Sequence, residues 1–356
     1  MGPIFTQPAA TSANPDDHDR NRRRFLTLLP SLSIGGLALL AGCGPGLSSG
    51  QQPTRPSRIG FLSLGTAGPS PLVDAFLSGL QEVGYVDGRN VTIEYRFAEG
   101  RQHVLYDLAL ELVRLPVEVI VASSSEAAVA AKTATTTIPI VAVAMTGDPD
   151  GSNLVRSLER PGDNVTGLTA ALADHSGRQL ALLRDVLPSV SQVAFLWNGK
   201  RRLGSGMYPH AEIEVAARAS GIQLHSLEVR AADQLGPALE SAAQRRVQGL
   251  VVLGDPLTFV HRARIVDFAA RERLPAVYDF REFVDVGGLL GYGPSMGLLF
   301  RRSASYVNKI MRGSHPSDLP VERPASTQLI VNLNTARTLG LAIPQSVLDE
   351  ATEVIG

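Results

Sequence analysis

Cysteine is almost absent from this sequence, since Cys43 is the only one among 356 residues. A single cysteine excludes an intrachain disulfide, a cysteine-based zinc site and an iron–sulfur cluster. The histidines are scattered, and no two lie four residues apart on one predicted helix, so we expect no metal site. The first strand is not followed by Gly-x-Gly-x-x-Gly, which argues against a dinucleotide. We therefore expect no cofactor.

An excess of charge of either sign is also lacking. The chain has 33 Lys and Arg against 34 Asp and Glu, which gives a formal net charge of −1. Such a balance creates no field that would attract nucleic acid or an anionic bilayer. The length predicts about two domains with ample material for buried cores. A small molecule is therefore a better candidate partner than a polyanion, and we expect a monomer.

A long apolar run is missing as well. Three arginines, 22–24, precede an apolar stretch over 28–40 that Pro30 and two glycines interrupt. This stretch is too short to span a membrane stably, but its position after a basic region is typical of a signal peptide. Arg22 and Arg23, followed by Phe-Leu, resemble a twin-arginine export signal, with general secretion as the alternative.

The apolar stretch ends in Leu40-Ala-Gly-Cys43. This tetrapeptide resembles a bacterial lipobox, in which the cysteine thiol receives diacylglycerol. Residues 1–43 are therefore predicted to be a signal peptide, and 44–57, rich in Gly, Pro, Ser and Gln, a flexible tether. We expect an exported lipoprotein, periplasmic or on the cell surface, anchored to a membrane through Cys43.

The rest of the chain alternates short β-branched runs with helical segments. This pattern predicts an α/β fold with two doubly wound, Rossmann-like lobes of parallel sheet. Three crossings, near 166–169, 283–288 and 320–326, would form the hinge between the lobes. The predicted first lobe comprises 58–167 and 288–322, and the predicted second lobe comprises 168–287 and 323–356.

Polar and aromatic residues follow the predicted strands, where ligands bind in open parallel sheets. The candidate ligand contacts are Ser63, Gly65, Ser123, Ser124, Ser125, Thr146, Asp148, Trp197, Asn198, Asp255, Tyr278, Phe280 and Tyr292. Serine hydroxyls before an Ala-rich helix could bind a carboxylate, the aspartates an ammonium group, and the aromatic rings a flat ligand. The alternatives are helix capping by serine, Asp-Pro turns, and aromatic packing between the lobes.

Several sequence blocks resemble the substrate-binding proteins of ABC transporters that include tryptophan- and aromatic-amino-acid-binding lipoproteins. The blocks are Gly79-Leu-Gln-Glu-Val-Gly-Tyr-Val-Asp-Gly-Arg-Asn90, Ile93-Glu-Tyr-Arg96, Glu159-Arg-Pro-Gly-Asp-Asn-Val-Thr-Gly167, Phe280-Arg-Glu-Phe-Val284, Gly291-Tyr-Gly-Pro294 and Asp318-Leu-Pro-Val-Glu322. The resemblance implies a type I periplasmic binding fold, a ligand between the lobes, and delivery to a permease driven by a separate ATPase subunit. From the mixture of candidate side chains we expect an amino acid, aromatic or branched.

Two other function classes remain as alternatives. Gly293-Pro-Ser-Met-Gly297 matches the nucleophile elbow of α/β serine hydrolases, with Ser295 as nucleophile. However, no acidic residue lies between Ser295 and His315, the only later histidine, so we expect no catalytic residues. A ligand-sensing regulator of the same fold would need an N-terminal DNA-binding module, and the predicted signal and tether occupy that place.

Overall fold

Two sheets organise the residues that the computed structural model describes, which are 56–146, 154–172, 175–199 and 210–356. The first sheet has five parallel strands in the order β2-β1-β3-β4-β5, and the second has seven in the order β12-β11-β10-β9-β8-β6-β7. All neighbouring strands of the second sheet are parallel except β10 and β11. The predicted α/β fold class with two lobes is confirmed.

The first lobe is defined here as the five-stranded sheet with the helices that pack on it. Its strands are β1 (Ser57–Ser63), β2 (Val91–Phe97), β3 (Val119–Ala122), β4 (Ile140–Met145) and β5 (Val165–Thr169). Its helices are α1 (Pro71–Glu82), α2 (Leu105–Arg114), α3 (Ser125–Ala134) and, from much later in the chain, α10 (Met296–Met311).

The second lobe is the seven-stranded sheet with its helices. Its strands are β6 (Gln192–Asn198), β7 (Gln223–Val229), β8 (Gly249–Val252), β9 (Ala276–Tyr278), β10 (Leu290–Pro294), β11 (Thr327–Asn332) and β12 (Glu353–Ile355). Its helices are α4 (His175–Val186), α5 (His210–Ala219), α6 (Leu235–Gln244), α7 (Pro256–Val260), α8 (Arg262–Arg271), α9 (Arg281–Val284), α11 (Leu333–Leu339) and α12 (Gln345–Glu350). No helix among the described residues combines the length and apolarity needed to cross a bilayer.

Each sheet is covered on both faces, which explains the continuous apolar runs in the sequence. In β3, Ile120 and Ala122 join the core on one face of the sheet, while Val119 and Val121 join the core on the other. In β6, Phe195 and Trp197 face one core of the second lobe, and Ala194 and Leu196 face the other. The alternation places the apolar side chains of these central strands in one core or the other.

The predicted boundary at residue 288 is wrong for β10. This strand pairs with β9 and β11 in the second sheet, so the chain returns to the first lobe only after Pro294. The approach of β10 to β9 is close, because a Cβ at Gly293 would lie 2.0 Å from the Asp279 carbonyl oxygen. The predicted crossing over 283–288 therefore joins α9 to β10 within the second lobe.

The other two predicted crossing segments lie side by side. The Thr169 amide donates a hydrogen bond to the Glu322 carbonyl at 2.9 Å, and the Glu322 amide donates to the Gly167 carbonyl at 3.0 Å. Gly167 has φ of +142°, and a Cβ there would lie 1.9 Å from the Ala142 carbonyl oxygen. Only glycine fits at this contact between β5 and β4.

Candidate ligand-binding cleft

A cavity of about 380 Å³ lies between the two lobes, at the carboxyl ends of β1, β3 and β4. We call it the interlobe cleft. Seven of the candidate ligand contacts line it, namely Ser63, Gly65, Ser123, Ser124, Thr146, Asp255 and Phe280. The strand ends of a parallel sheet therefore bring together residues that are far apart in sequence. Contact of these residues with a ligand remains a prediction.

Two serines join the strand ends of the first lobe. The Ser123 hydroxyl donates a hydrogen bond to the Ser63 hydroxyl at 2.9 Å, and the Ser63 oxygen also accepts from the Gly65 amide at 3.0 Å. These bonds fix the loops after β1 and β3 relative to each other. The result is a neutral, hydroxyl-bearing wall on the first-lobe side of the cleft.

The next two serines bond the backbone of the first lobe, and Ser124 has the capping role that was the alternative to ligand binding. Ser124 is the N-cap of α3, and its hydroxyl accepts from the Ala127 amide at 3.2 Å. The Ser125 hydroxyl accepts from the Thr146 amide at 2.9 Å and donates to the Thr146 carbonyl. Ser125 therefore fixes the end of β4 and does not line the cleft, because its hydroxyl is directed at that backbone.

Asp255 occupies the second-lobe edge of the cleft as the N-cap of α7. Its Oδ1 accepts a hydrogen bond from the Thr258 amide at 2.8 Å, and the Thr258 hydroxyl oxygen accepts one from the Asp255 amide at 3.0 Å. This reciprocal pair is a capping box and stabilises the first turn of a five-residue helix. The predicted role as acceptor of a ligand ammonium therefore competes with a structural one.

Aromatic and thioether side chains supply the apolar surface of the cleft. Phe280 lies edge-on to Phe259, with ring centroids 6.1 Å apart. The remaining large apolar contributors are Phe61, Phe97, Phe300 and Met296. Phe280 was predicted as a ligand contact, whereas these four residues, which lie in strands or helices, were not. A flat apolar group fits such a lining.

Four candidates lie outside the cleft wall. Trp197 is 2% exposed and donates from Nε1 to the Ser226 hydroxyl at 2.7 Å, while Asn198 is buried beside it. Tyr278 is buried and stacks on Phe283 at 4.9 Å, and Tyr292 stacks on His175 at 5.4 Å. The two strand aromatics Trp197 and Tyr278 point into sheet faces, and Tyr292 packs on α4, so none of these three rings lines the cleft.

Two further predicted sites, Asp148 and Cys43, lie outside the described residues.

Charged residues of the second lobe were missed. Arg262, Glu282 and Asp285 all line the cleft. We had inspected only the residues that directly follow strands, whereas Arg262 opens α8 and Glu282 lies in the four-residue helix α9. The sequence did contain one signal for Glu282. The charged pair Arg281-Glu282 directly follows Phe280, which the strand pattern already placed at the cleft.

Asp279 is another residue outside the candidate ligand contacts, and its side chain holds the second-lobe wall of the cleft in place. Its Oδ2 accepts from the Gly254 amide at 2.6 Å, and its Oδ1 accepts from Gln179 Nε2 at 2.7 Å. His175 Nε2 lies 3.0 Å from the same Oδ1. All of these side chains are buried. Asp279 therefore ties α4 to the two loops that carry Asp255 and Phe280.

Ser295, the nucleophile of the hydrolase alternative, is the N-cap of α10. Its hydroxyl accepts from the Leu298 amide at 3.3 Å. The hydroxyl thus stabilises the first turn of a helix where the chain passes from the second lobe to the first. The sequence motif has a structural explanation that needs no catalysis.

The fold and the cleft define a two-lobed binding protein of the periplasmic type I class. The chain belongs to the family described as ABC transporter substrate binding protein, whose model matches residues 68–355. This is a family of substrate-binding proteins and not of enzymes, so the expectation of no enzymatic activity is confirmed. Its members bind small molecules outside the cytoplasm as part of ABC transport.

Individual relatives agree with this assignment. A "Tyrosine-binding protein" of Clostridioides difficile (strain R20291) is 24% identical over 332 residues, which are 90% of this chain and 93% of that protein. A crystal structure of a conserved domain protein from Vibrio cholerae has a TM-score of 0.76 and 26% identity, covering 84% of this chain and 100% of that one. The ABC domain from Streptococcus pneumonia in complex with L-Trp has a TM-score of 0.75 and 24% identity, covering 85% of this chain and 100% of that one.

Proposed function

We propose that the protein is an exported lipoprotein that captures an amino acid, aromatic or branched, and delivers it to the permease of an ABC importer. The interlobe cleft carries the proposal, because its cavity of about 380 Å³ combines phenylalanine rings with hydroxyls and charges of both signs. Such a lining matches a small molecule with an apolar side chain and a polar head. The names of two relatives, a tyrosine-binding protein and a domain in complex with L-Trp, support the choice of ligand class.

Transport would depend on closure of the lobes. A ligand that touches both walls of the cleft favours the closed arrangement by its higher affinity for that state. The segments between the two sheets are the sites of bending, and the permease would recognise the closed pair. No covalent chemistry on the ligand is required.

A thermal-shift screen tests the ligand class directly. The panel contains the L-amino acids, nucleosides and aromatic acids, and the target is the full chain with Cys43→Ser. A ligand at about 100 times its Kd stabilises the folded state by about 2.7 kcal/mol. We expect a rise in Tm of several degrees with aromatic or branched L-amino acids. A rise with nucleosides or simple acids alone would exclude the proposed ligand class.

Anchoring is tested in the bacterial cell by the same substitution at Cys43. Loss of the only thiol removes the atom that would receive the lipid, so we expect Cys43→Ser protein to leave the membrane fraction for the soluble exported fraction. Cys43→Ala is a second thiol-free variant and should behave identically. Equal retention of wild type and both variants in washed membranes would contradict lipidation.

A further inference from the structure

Two charged atoms in the second-lobe wall of the cleft are buried without a hydrogen-bond partner. They are Nε of Arg262 and Oε2 of Glu282, and both side chains line the cavity. Leaving a buried ionic donor or acceptor unpaired is costly, so such atoms in a cavity wall indicate a partner supplied by the bound molecule. The two side chains do not satisfy each other, since no ion pair within 4.0 Å joins them among the described residues.

The position of Arg262 is already fixed by other contacts. Its Nη1 donates to the Phe259 carbonyl at 2.9 Å, and the guanidinium carbon lies 4.9 Å from the centre of the Phe259 ring. These contacts hold the plane of the guanidinium while Nε stays without a partner. A carboxylate is the acceptor that best complements a guanidinium N–H.

The surroundings of Glu282 leave its carboxylate equally available. The adjacent Arg281 is engaged elsewhere, because its Nη2 donates to Glu353 at 2.8 Å and its Nε lies 3.3 Å from Asp285. Asp285, the neighbouring acid in the cleft wall, is therefore paired, whereas Glu282 is not. Burial is the main cause that raises the pKa of Glu282, and the charge of Asp285 adds to it, whereas the Glu282 backbone amide and the guanidinium groups of Arg262 and Arg281 lower the pKa by smaller amounts.

We propose that Arg262 and Glu282 together recognise the zwitterionic head of the ligand, with Arg262 binding its carboxylate and Glu282 its ammonium group. The proposal rests on the function proposed above and replaces the earlier assignment of the ammonium to the aspartates that follow strands. A free α-amino acid satisfies both atoms, whereas a deaminated acid leaves Glu282 unpaired and a decarboxylated amine leaves Arg262 unpaired. The pair therefore selects amino acids against their acid and amine analogues.

Calorimetric titration of the full-length Cys43→Ser chain tests this proposal. The probes are L-phenylalanine, 3-phenylpropionate and 2-phenylethylamine, with L-tryptophan, 3-indolepropionate and tryptamine as a parallel series. Truncating one partner of a buried charge pair costs enough to weaken binding about 30-fold or more. We expect Glu282→Gln to weaken binding of the amino acid by that factor and to leave affinity for the acid analogue unchanged or higher. Arg262→Gln should weaken binding of the amino acid and of the acid analogue, and should leave binding of the amine analogue unchanged.

Asp267→Asn is the matched control, because it removes an acidic charge from an exposed position on α8 that does not line the cleft. We expect it to change amino acid affinity less than about threefold. Equal losses in Glu282→Gln and Asp267→Asn, or no loss in either, would overturn the proposal. Tm values of the unliganded variants report folding. Even if a variant fails to fold, equal affinity of the wild type for the amino acid and its acid analogue would overturn the proposal.

The outcomes separate this inference from the proposed function. A wild-type protein that binds no amino acid refutes both. A wild-type protein that binds amino acids, with Glu282 and Arg262 variants that retain its selectivity, refutes only the recognition by this pair.

Discussion

Gly79→Ala is expected to destabilise the protein by about 2 to 4 kcal/mol, even though alanine normally stabilises a helix interior by about 1 kcal/mol relative to glycine. Gly79 lies on α1 where this helix meets α10. A Cβ at this position would lie 2.2 Å from the Arg301 carbonyl oxygen and 3.0 Å from the Ala304 Cβ. The obstacle is helix backbone and cannot rotate away, so α10 would have to move off the first lobe.

Ser78→Ala is the control for that substitution. Ser78 is the neighbouring residue on α1 and is exposed, so its replacement alters helix propensity without touching α10. Urea unfolding followed by circular dichroism gives both free energies. A Gly79→Ala variant as stable as Ser78→Ala would contradict the close packing of α1 on α10.

Asp279→Ala is expected to cost about 3 to 5 kcal/mol and to weaken ligand binding. The substitution removes the carboxylate that accepts hydrogen bonds from the Gly254 amide and Gln179 Nε2 and that contacts His175 Nε2. These three groups then stay buried without that carboxylate. Gly254 directly precedes Asp255, and Asp279 directly precedes Phe280, and both of these following residues line the cleft. The loss should therefore appear both in urea unfolding and in amino acid affinity.

Asp267→Ala provides the comparison for Asp279, because Asp267 is an exposed acid on α8. Its removal should change the free energy of unfolding by less than about 0.5 kcal/mol. If Asp279→Ala unfolded at the same urea concentration as Asp267→Ala, the buried network would not hold the second-lobe wall. Normal affinity in a destabilised Asp279→Ala would show that the network stabilises the lobe without positioning the cleft.

Most of the fold was predictable because its central strands are buried on both faces. Such strands are continuous apolar runs, as in 119–122 and 140–145, and they stand out between amphipathic helices. Strand β10 was assigned to the first lobe because a crossing was predicted directly before it, at 283–288. The absence of a side chain at Gly293 allows close contact with the Asp279 backbone, and this contact is a property of the folded sheet.

The cleft was predictable only where its residues directly follow strands. Ser63, Ser123 and Phe280 were found by that rule. Trp197 directly follows the same rule in sequence but does not line the cleft. Residues two apart on a strand lie on the same face of the sheet, so Trp197 packs in the same core as Phe195. Arg262 and Glu282 were not selected from the sequence, because a charged residue near a helix start is usually a solvated one. Their significance depends on burial and on missing partners, which are properties of the folded chain.

Binding of an amino acid between the two lobes is tested by a crystal structure of the protein with the amino acid that raises its Tm most. We expect one ligand in the interlobe cleft, with its carboxylate on Arg262, its ammonium group on Glu282 and its side chain against Phe280. An amino acid bound outside the cleft, with the cleft filled only by water, would show that the cleft is not the binding site.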